Sequence, residues 1–311
     1  MISRLPDPYI ISKNIQQAKQ FGGAIVALES TVITHGLPKP ENLELAREME
    51  GIVRKNGATP ATIAILNGKI HVGLSEDELE DLALREDARK ISLRDFGIAL
   101  AGGLSGGTTV ASTLFVSDLV GINVFATGGI GGVHRGNLID VSADLTQLGK
   151  SPVVVVCSGA KAILDLPATR EVLETRGVPV VGYQTDEFPA FYTRSSGLGV
   201  DVRADTPEEV GKIALETWEA GINTAVLLVV PPPIESSMSQ AEMEIAIQAA
   251  LADAERLHIR GSAITPYLLT RVSELTEGES LEANLALLKN NAKIAAKVST
   301  AITGIKKAGP F

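Results

Sequence analysis

The chain has 311 residues, 45% of them hydrophobic and 21% charged, with a formal net charge of −9. That length buries a sizeable core as one large domain or two modest ones. The acidic balance argues against a general binder of nucleic acid or of an anionic membrane, so any anionic ligand has to be held by a locally basic pocket.

The first 20 residues read as an entry arm with at most a short helix, because Pro6 and Pro8 interrupt anything longer. They lack a basic segment followed by an apolar one, and no run in the chain reaches the roughly 18 apolar residues of a membrane span. The expected location is therefore the cytoplasm. Gly23-Ala24-Ile25-Val26-Ala27-Leu28 reads as a buried strand that ends at Glu29-Ser30-Thr31. A carboxylate at a strand's C-terminal end, followed by the loop His35-Gly36-Leu37-Pro38, is a candidate site residue; the alternative is a glutamate that caps nearby amides. Residues 40–55 carry Leu43, Ala46, Met49 and Val53 at helical spacing, and Gly57 supplies the stop. Residues 61–66 and 69–74 are two β runs joined by Asn67-Gly68, which suits a type I′ turn and makes the sheet not purely parallel. Ser75 caps a short acidic helix.

Arg89, Lys90 and Arg94 cluster three cations, either a solvated surface or, in so acidic a chain, a phosphate subsite. Residues 104–113 read as a Gly-Thr loop entering a helix that continues to Leu119, and the first amides of such a helix can hold a phosphate. The Lys-Ser/Thr pair of a P-loop is absent. Residues 122–126 form an apolar run that opens into Thr127-Gly128-Gly129-Ile130-Gly131-Gly132-Val133-His134-Arg135-Gly136. Five glycines in ten residues, with one His and one Arg, predict a packed loop that faces a ligand. Their spacing is not the dinucleotide fingerprint, which removes NAD. Asp140 and Asp144 could offer oxygen to a hard divalent cation, although one Asp with waters and a substrate phosphate is the more usual arrangement for Mg²⁺ or Mn²⁺.

A second apolar run, Val153-Val154-Val155-Val156-Cys157, ends in Ser158-Gly159-Ala160-Lys161. The single cysteine excludes an intramolecular disulfide and reads as an inert core thiol. Lys161 sits just beyond a buried strand; partial desolvation there lowers a lysine's pKa and frees the amine to attack a carbonyl, whereas most lysines are simply exposed. Helices are predicted over residues 166–176, 206–220 and 239–258, and strands over 178–183 and 225–230. The aromatics of residues 184–192 form either a core plug or a lid beside a planar ligand. The final helix starts near Ser280, and Asn284 lies on or beside its Leu281/Leu285/Leu288 stripe, where a buried amide needs a partner. No linker or repeat divides the chain, so residues 1–311 are read as a single domain with an arm at 1–20.

Ala27-Leu28-Glu29-Ser30-Thr31, Gly57-Ala58-Thr59-Pro60-Ala61-Thr62, Thr108-Thr109-Val110-Ala111-Ser112-Thr113 and residues 125–136 together resemble the pseudouridine-5′-phosphate glycosidase, or indigoidine synthase A-like, family. Asp140-Val141-Ser142-Ala143-Asp144, Ser158-Gly159-Ala160-Lys161 and Gly182-Tyr183-Gln184-Thr185 carry the same resemblance. It implies a three-layer α/β/α fold with a mixed, mostly parallel central sheet. It also implies reversible cleavage of pseudouridine 5′-phosphate to uracil and ribose 5-phosphate, with Mn²⁺ or another divalent cation, in a homotrimer. By position, Lys161 matches the lysine that forms an imine with the opened ribose, and Glu29 the proton carrier. Lys90, Val110 and Ser142-Ala143-Asp144 match substrate-contacting positions. Thr109 is taken with Val110, Asp140 matches the metal ligand, Asn284 a position near the uracil, and His134 lies in a matching loop. The resemblance suits the chemistry, because a C–C bond cannot be cleaved by protonating a leaving oxygen, whereas an imine at C1′ is an electron sink beside it. Two other classes stay open: a Schiff-base lyase or aldolase acting on another sugar phosphate, and a non-catalytic sugar-phosphate sensor.

Overall fold

In the computed structural model, residues 7–259 and 264–309 are described. The chain opens with β1 (Tyr9–Ile11), α1 (Lys13–Gln20) and β2 (Ile25–Leu28). A π-helical turn at Val32–Gly36 leads to α2 (Glu41–Lys55), β3 (Thr59–Leu66) and β4 (Lys69–Val72). Asn67 and Gly68 both take positive φ, 49° and 70°, as a type I′ hairpin requires. Next come α3 (Glu76–Leu84), whose capping box is built by Ser75 and Glu78, then β5 (Arg89–Ile91), α4 (Phe96–Ala101) and β6 (Gly106–Thr108). The helix α5 (Val110–Leu119) is capped by Thr109, and β7 (Val124–Ala126) delivers the glycine-rich loop.

That loop contains β8 (Val133–His134), which pairs antiparallel with β9 (Asn137–Val141). There follow α6 (Ala143–Leu148), β10 (Val154–Cys157), β11 (Leu164–Asp165) and α7 (Leu166–Thr175). The chain continues through β12 (Val180–Tyr183), β13 (Val202–Ala204), α8 (Pro207–Glu219) and β14 (Val226–Val229). It closes with α9 (Gln240–Arg256), α10 (Ile264–Leu275) and the 30-residue α11 (Glu279–Ala308).

The main sheet runs β1-β4-β3-β2-β7-β10-β14-β12-β13, with β6 also on β3 and β5 on β6. From β3 to β13 every pairing is parallel, while β4 and β6 run antiparallel to β3, so the sheet is mixed and mostly parallel. Every residue of β10 and β14 is fully buried, which is what covering both faces of a parallel sheet demands and why these strands read as unbroken Val/Leu runs. One face is covered by α11 with α2 and α8, and the opposite one includes α1, α5 and α6. The residues read as an arm carry β1, which extends the sheet beside β4, and α1, which packs on β2 and β3.

A split in the sheet positions the site. Along one edge of β3, β2 pairs with Thr59–Thr62, and β6 then takes over opposite Ala64 and Ile65. Where β2 gives way, Ser30 Oγ donates to the Ile63 carbonyl at 2.6 Å and accepts from the Thr108 amide at 2.9 Å. Thr108 Oγ1 donates to the same carbonyl at 2.7 Å. These hydroxyls satisfy backbone groups that a continuous strand would have paired. Gly107 permits the approach, since a Cβ there would sit 2.5 Å from the Ser30 carbonyl oxygen.

Candidate active site

Outside the C-terminal ends of β2, β7 and β10, beside the start of α5, lies a cavity of about 390 Å³. Open α/β sheets place ligands there, because strand ends deliver side chains and helix N-termini to one point. Each residue singled out from the sequence borders this cavity: Glu29, Lys90, Thr109, Val110, His134, Asp140, Ser142, Ala143, Asp144, Lys161 and Asn284.

Glu29 follows the last residue of β2, and its carboxylate accepts a hydrogen bond from the Thr127 hydroxyl at the end of β7. Glu29 is half-buried and borders the cavity. Burial pushes its pKa up; Lys161, the Thr127 hydroxyl and Lys90 oppose that shift, and Asp144 adds to it. The net direction is up, so the group is biased toward the acid form.

Lys161 is reached by a continuation of the β7/β10 pairing. The Ile130 amide donates to the Gly159 carbonyl and the Lys161 amide to the Ile130 carbonyl, both at 3.1 Å. Gly159 takes φ +85°, with the Pro189 carbonyl oxygen where a Cβ would be, so the turn before Lys161 requires glycine. The Lys161 side chain is half-buried on the cavity wall. Of the three clustered cations, Lys90 on β5 faces inward, Arg89 is exposed, and Arg94 stands exposed at the rim. Burial first and Lys161 second lower the pKa of Lys90.

Asp144 is buried and serves as a clamp. Its Oδ1 accepts from the Ala111 amide at 2.9 Å and its Oδ2 from the Gly131 amide at 2.8 Å, joining α5, α6 and the glycine-rich loop. Ser142 caps α6 by accepting from the Asp144 amide at 3.2 Å. A Cβ on Gly131 would lie 2.2 Å from Ser142 Oγ, so glycine is needed at that contact. The two aspartates considered together as cation ligands thus differ. Asp144 is engaged by backbone amides, and Asp140 is exposed on the wall. Among the described residues no three His, Cys, Asp or Glu side chains are grouped to hold a metal. A hard cation held here would take one carboxylate from Asp140 and its other oxygens from water and ligand.

The far wall comes from α11 and α10. Asn284 is buried on α11 and borders the cavity. One further asparagine was not singled out from the sequence: Asn291 is fully buried and donates to the Thr127 carbonyl at 2.9 Å and to Ser158 Oγ at 3.2 Å. Its signal was an amide two turns beyond Asn284 on the same apolar stripe. Thr265, Pro266 and Leu269 of α10 also line the cavity. Phe191 is both plug and wall: 2% exposed, at φ 65°, with its ring against Gly129 and bordering the cavity. Cys157 is buried, with its thiol pushed up to about 12 by burial, and is chemically quiet.

Residues 14–301 match the model of the family described as indigoidine synthase A like protein. The chain is 50% identical over 299 residues to a pseudouridine-5′-phosphate glycosidase of Caldanaerobacter subterraneus subsp. tengcongensis, covering 96% of this chain and 97% of the relative. It is 52% identical over 299 residues to one from Herpetosiphon aurantiacus, covering 94% and 97%. A solved prealnumycin C-glycosynthase in complex with ribulose 5-phosphate superimposes with a TM-score of 0.90 at 39% identity, over 97% of this chain and 99% of that one. An indigoidine synthase A-like protein of Thermotoga maritima gives a TM-score of 0.88 at 40% identity, over 97% and 100%. With a family match across nearly the whole chain and half of all residues shared with full-length relatives, the chain belongs to the indigoidine synthase A-like family.

Proposed function

We propose that this protein reversibly cleaves the C1′–C5 glycosidic bond of pseudouridine 5′-phosphate, giving uracil and ribose 5-phosphate through an imine between Lys161 and the opened ribose. One observation carries the reading: a carboxyl group biased toward its acid form and a lysine close enough to feel its charge share one cavity, at strand ends separated only by β7. The relatives named above act in the same sense, and the C-glycosynthase holds a pentulose phosphate.

The Lys161 amine adds to C1′ as the C1′–O4′ bond breaks, and the proton shed by the nitrogen passes to O4′, which leaves as a hydroxyl while Glu29 keeps its own proton. Glu29 then delivers its proton to C5 of the base. The nitrogen lone pair forms C1′=N as the C1′–C5 electrons return to the ring, releasing uracil, and water hydrolyses the imine to ribose 5-phosphate. A general acid placed in this way contributes about 10²–10⁴-fold. The Thr127 hydroxyl orients Glu29. Lys90 and the N-terminal end of α5 at Thr109-Val110 favour an anion, which fits the 5′-phosphate beside Ser142-Ala143-Asp144. Asn284 supplies an amide for the edge of the base, and His134 flanks the sugar from β8.

A divalent cation, Mn²⁺ or a similar ion, is assigned to Asp140, where it would offset the negative charge of substrate and protein. Family membership also carries the expectation of a homotrimer, which sedimentation of the purified chain tests. None of the described helices is long and apolar enough to cross a membrane. A nucleoside phosphate does not cross one unaided, so the enzyme is placed with its substrate in the cytoplasm.

The test is incubation with pseudouridine 5′-phosphate and Mn²⁺, following uracil, then borohydride reduction and peptide mapping. Uracil release with a pentose phosphate adduct on Lys161 is expected. The Lys161→Ala variant should lose both signals while still binding the phosphorylated sugar, and near-normal turnover in it would sink the assignment.

A further inference from the structure

Of the His134-Arg135 pair in the glycine-rich loop, His134 borders the active-site cavity and Arg135 does not. Arg135 lines a second cavity of about 390 Å³, which shares Leu164 with the first and is bounded by Ala162 and by Glu244 of α9. The mechanism above gives this arginine no part.

Its guanidinium nevertheless makes four hydrogen bonds. Nε donates to the Leu164 carbonyl at 3.1 Å and Nη2 to the Ala162 carbonyl at 3.0 Å. Nη1 and Nη2 also donate to the two carboxylate oxygens of Glu244, at 2.6 and 3.2 Å. The Gln248 amide, one turn along α9, donates to the same carboxylate at 2.7 Å, so the acceptor is itself held.

The two carbonyls belong to the turn that carries Lys161. Ala162 and Leu164 are buried, and buried carbonyls need partners. The Lys161 amide is tied to the Ile130 carbonyl, and the Lys161 carbonyl accepts from the Leu164 amide at 3.0 Å. Leu164 opens β11, where it lies opposite His134 of β8, and Arg135 is the next residue after that strand. The backbone just beyond Lys161 is thus clamped by a rigid planar fork, which an ammonium on a flexible stem does not reproduce.

We propose that Arg135 is a positioning residue for the imine-forming amine: its guanidinium, aligned by Glu244, fixes the turn at residues 161–164 and so the point from which Lys161 Nζ approaches C1′. This rests on the reading of Lys161 as the nucleophile. Attack needs the reacting atoms aligned at about 3–3.5 Å, and a displacement of about 1 Å costs about 10²-fold in rate.

The experiment incubates ribose 5-phosphate with wild type, Arg135→Ala and Arg135→Lys, quenches with borohydride at timed intervals and maps the Lys161 adduct. It separates the maximal rate of adduct formation from the half-saturating sugar concentration. Arg135→Ala is expected to lower the maximal rate by about 10- to 100-fold. The half-saturating concentration should change little, because Arg135 lies outside the cavity that binds the sugar phosphate. Guanidinium ion at a subdenaturing concentration, entering the space opened beside the second cavity, should restore much of the rate in Arg135→Ala without accelerating wild type. A merely structural loss would not respond to it. Arg135→Lys, which keeps the charge and loses the fork, should stay close to Arg135→Ala. If Arg135→Ala does not fold, Glu244→Ala, exposed on α9, frees the fork from one side and should also lower the maximal rate; an unchanged rate there overturns the proposal. A wild-type maximal rate in Arg135→Ala overturns it too, as do a change confined to the half-saturating concentration and a failure of guanidinium to rescue. Full activity in Arg135→Lys would make charge alone the cause and equally remove the positioning role. All these results leave Lys161 as the nucleophile, whereas wild type giving no adduct at all removes that reading and the proposal with it.

Discussion

At the scale of single residues, Glu29 illustrates a conflict between stability and chemistry. Its pKa is raised mainly by burial, so the folded chain binds this proton more tightly than the unfolded chain does. The sign follows: its contribution to stability is present below the ordinary carboxylate range and is lost as pH rises through the raised value. At neutral to alkaline pH a charged Glu29 therefore costs stability, and the same bias toward the acid is what proton delivery to carbon needs. The Glu29→Gln variant should lose uracil release by about 10²–10⁴-fold while still forming the imine with ribose 5-phosphate. Its melting temperature at pH 8 should be no lower than that of wild type. Wild-type cleavage should decline on the alkaline side as Glu29 ionises, and the residual rate of the variant should lack that limb. A variant with the same alkaline limb would assign the titration to another group.

At the scale of elements, the site is where a long helix and short strands meet. The apolar periodicity of α11 was legible in the sequence, as were the unbroken Val/Leu strands, the Asn67-Gly68 hairpin and the Ser75 cap, because each leaves a side-chain pattern of its own. β5 and β6 were not legible. Each is three residues long, one carries two cations and the other two glycines, and they are defined by backbone pairing that leaves no periodicity. The strand character of β5 is what turns Lys90 inward and Arg89 outward, a separation that composition could not reveal. Asp144 was legible as a site residue by resemblance, but its clamp on two backbone amides depends on a tertiary approach of α5 to the glycine-rich loop. Asn291 belongs to the same class. Replacing it by Ala leaves the buried Thr127 carbonyl unpaired, at about 1–3 kcal/mol. A melting temperature several degrees lower is expected, together with slower turnover, since Thr127 orients Glu29. An unchanged melting curve would mean that another donor reaches that carbonyl.

At the scale of the whole molecule, the chain carries a formal net charge of −9 and is asked to bind an anion. Long-range attraction cannot assist, so affinity has to come from cations at the cavity itself: Lys90 on the wall and Arg94 at the rim. Asp140 stands among them as an exposed carboxylate and, with no metal bound, works against the phosphate. The divalent ion proposed at Asp140 would reverse the sign of that contribution, so metal dependence is expected in substrate binding before chemistry. Chelation of the enzyme should accordingly raise the KM for pseudouridine 5′-phosphate more than it lowers kcat. The Asp140→Asn variant, which removes both the carboxylate's repulsion and its hold on the cation, should show a KM that responds little to added Mn²⁺. Direct titration of Mn²⁺ into that variant should find weaker binding than in wild type, with the melting temperature unchanged because Asp140 lies on the surface. A fall in kcat at constant KM on chelation would instead place the ion's influence on the bond-breaking step and remove Asp140 from the account of substrate binding.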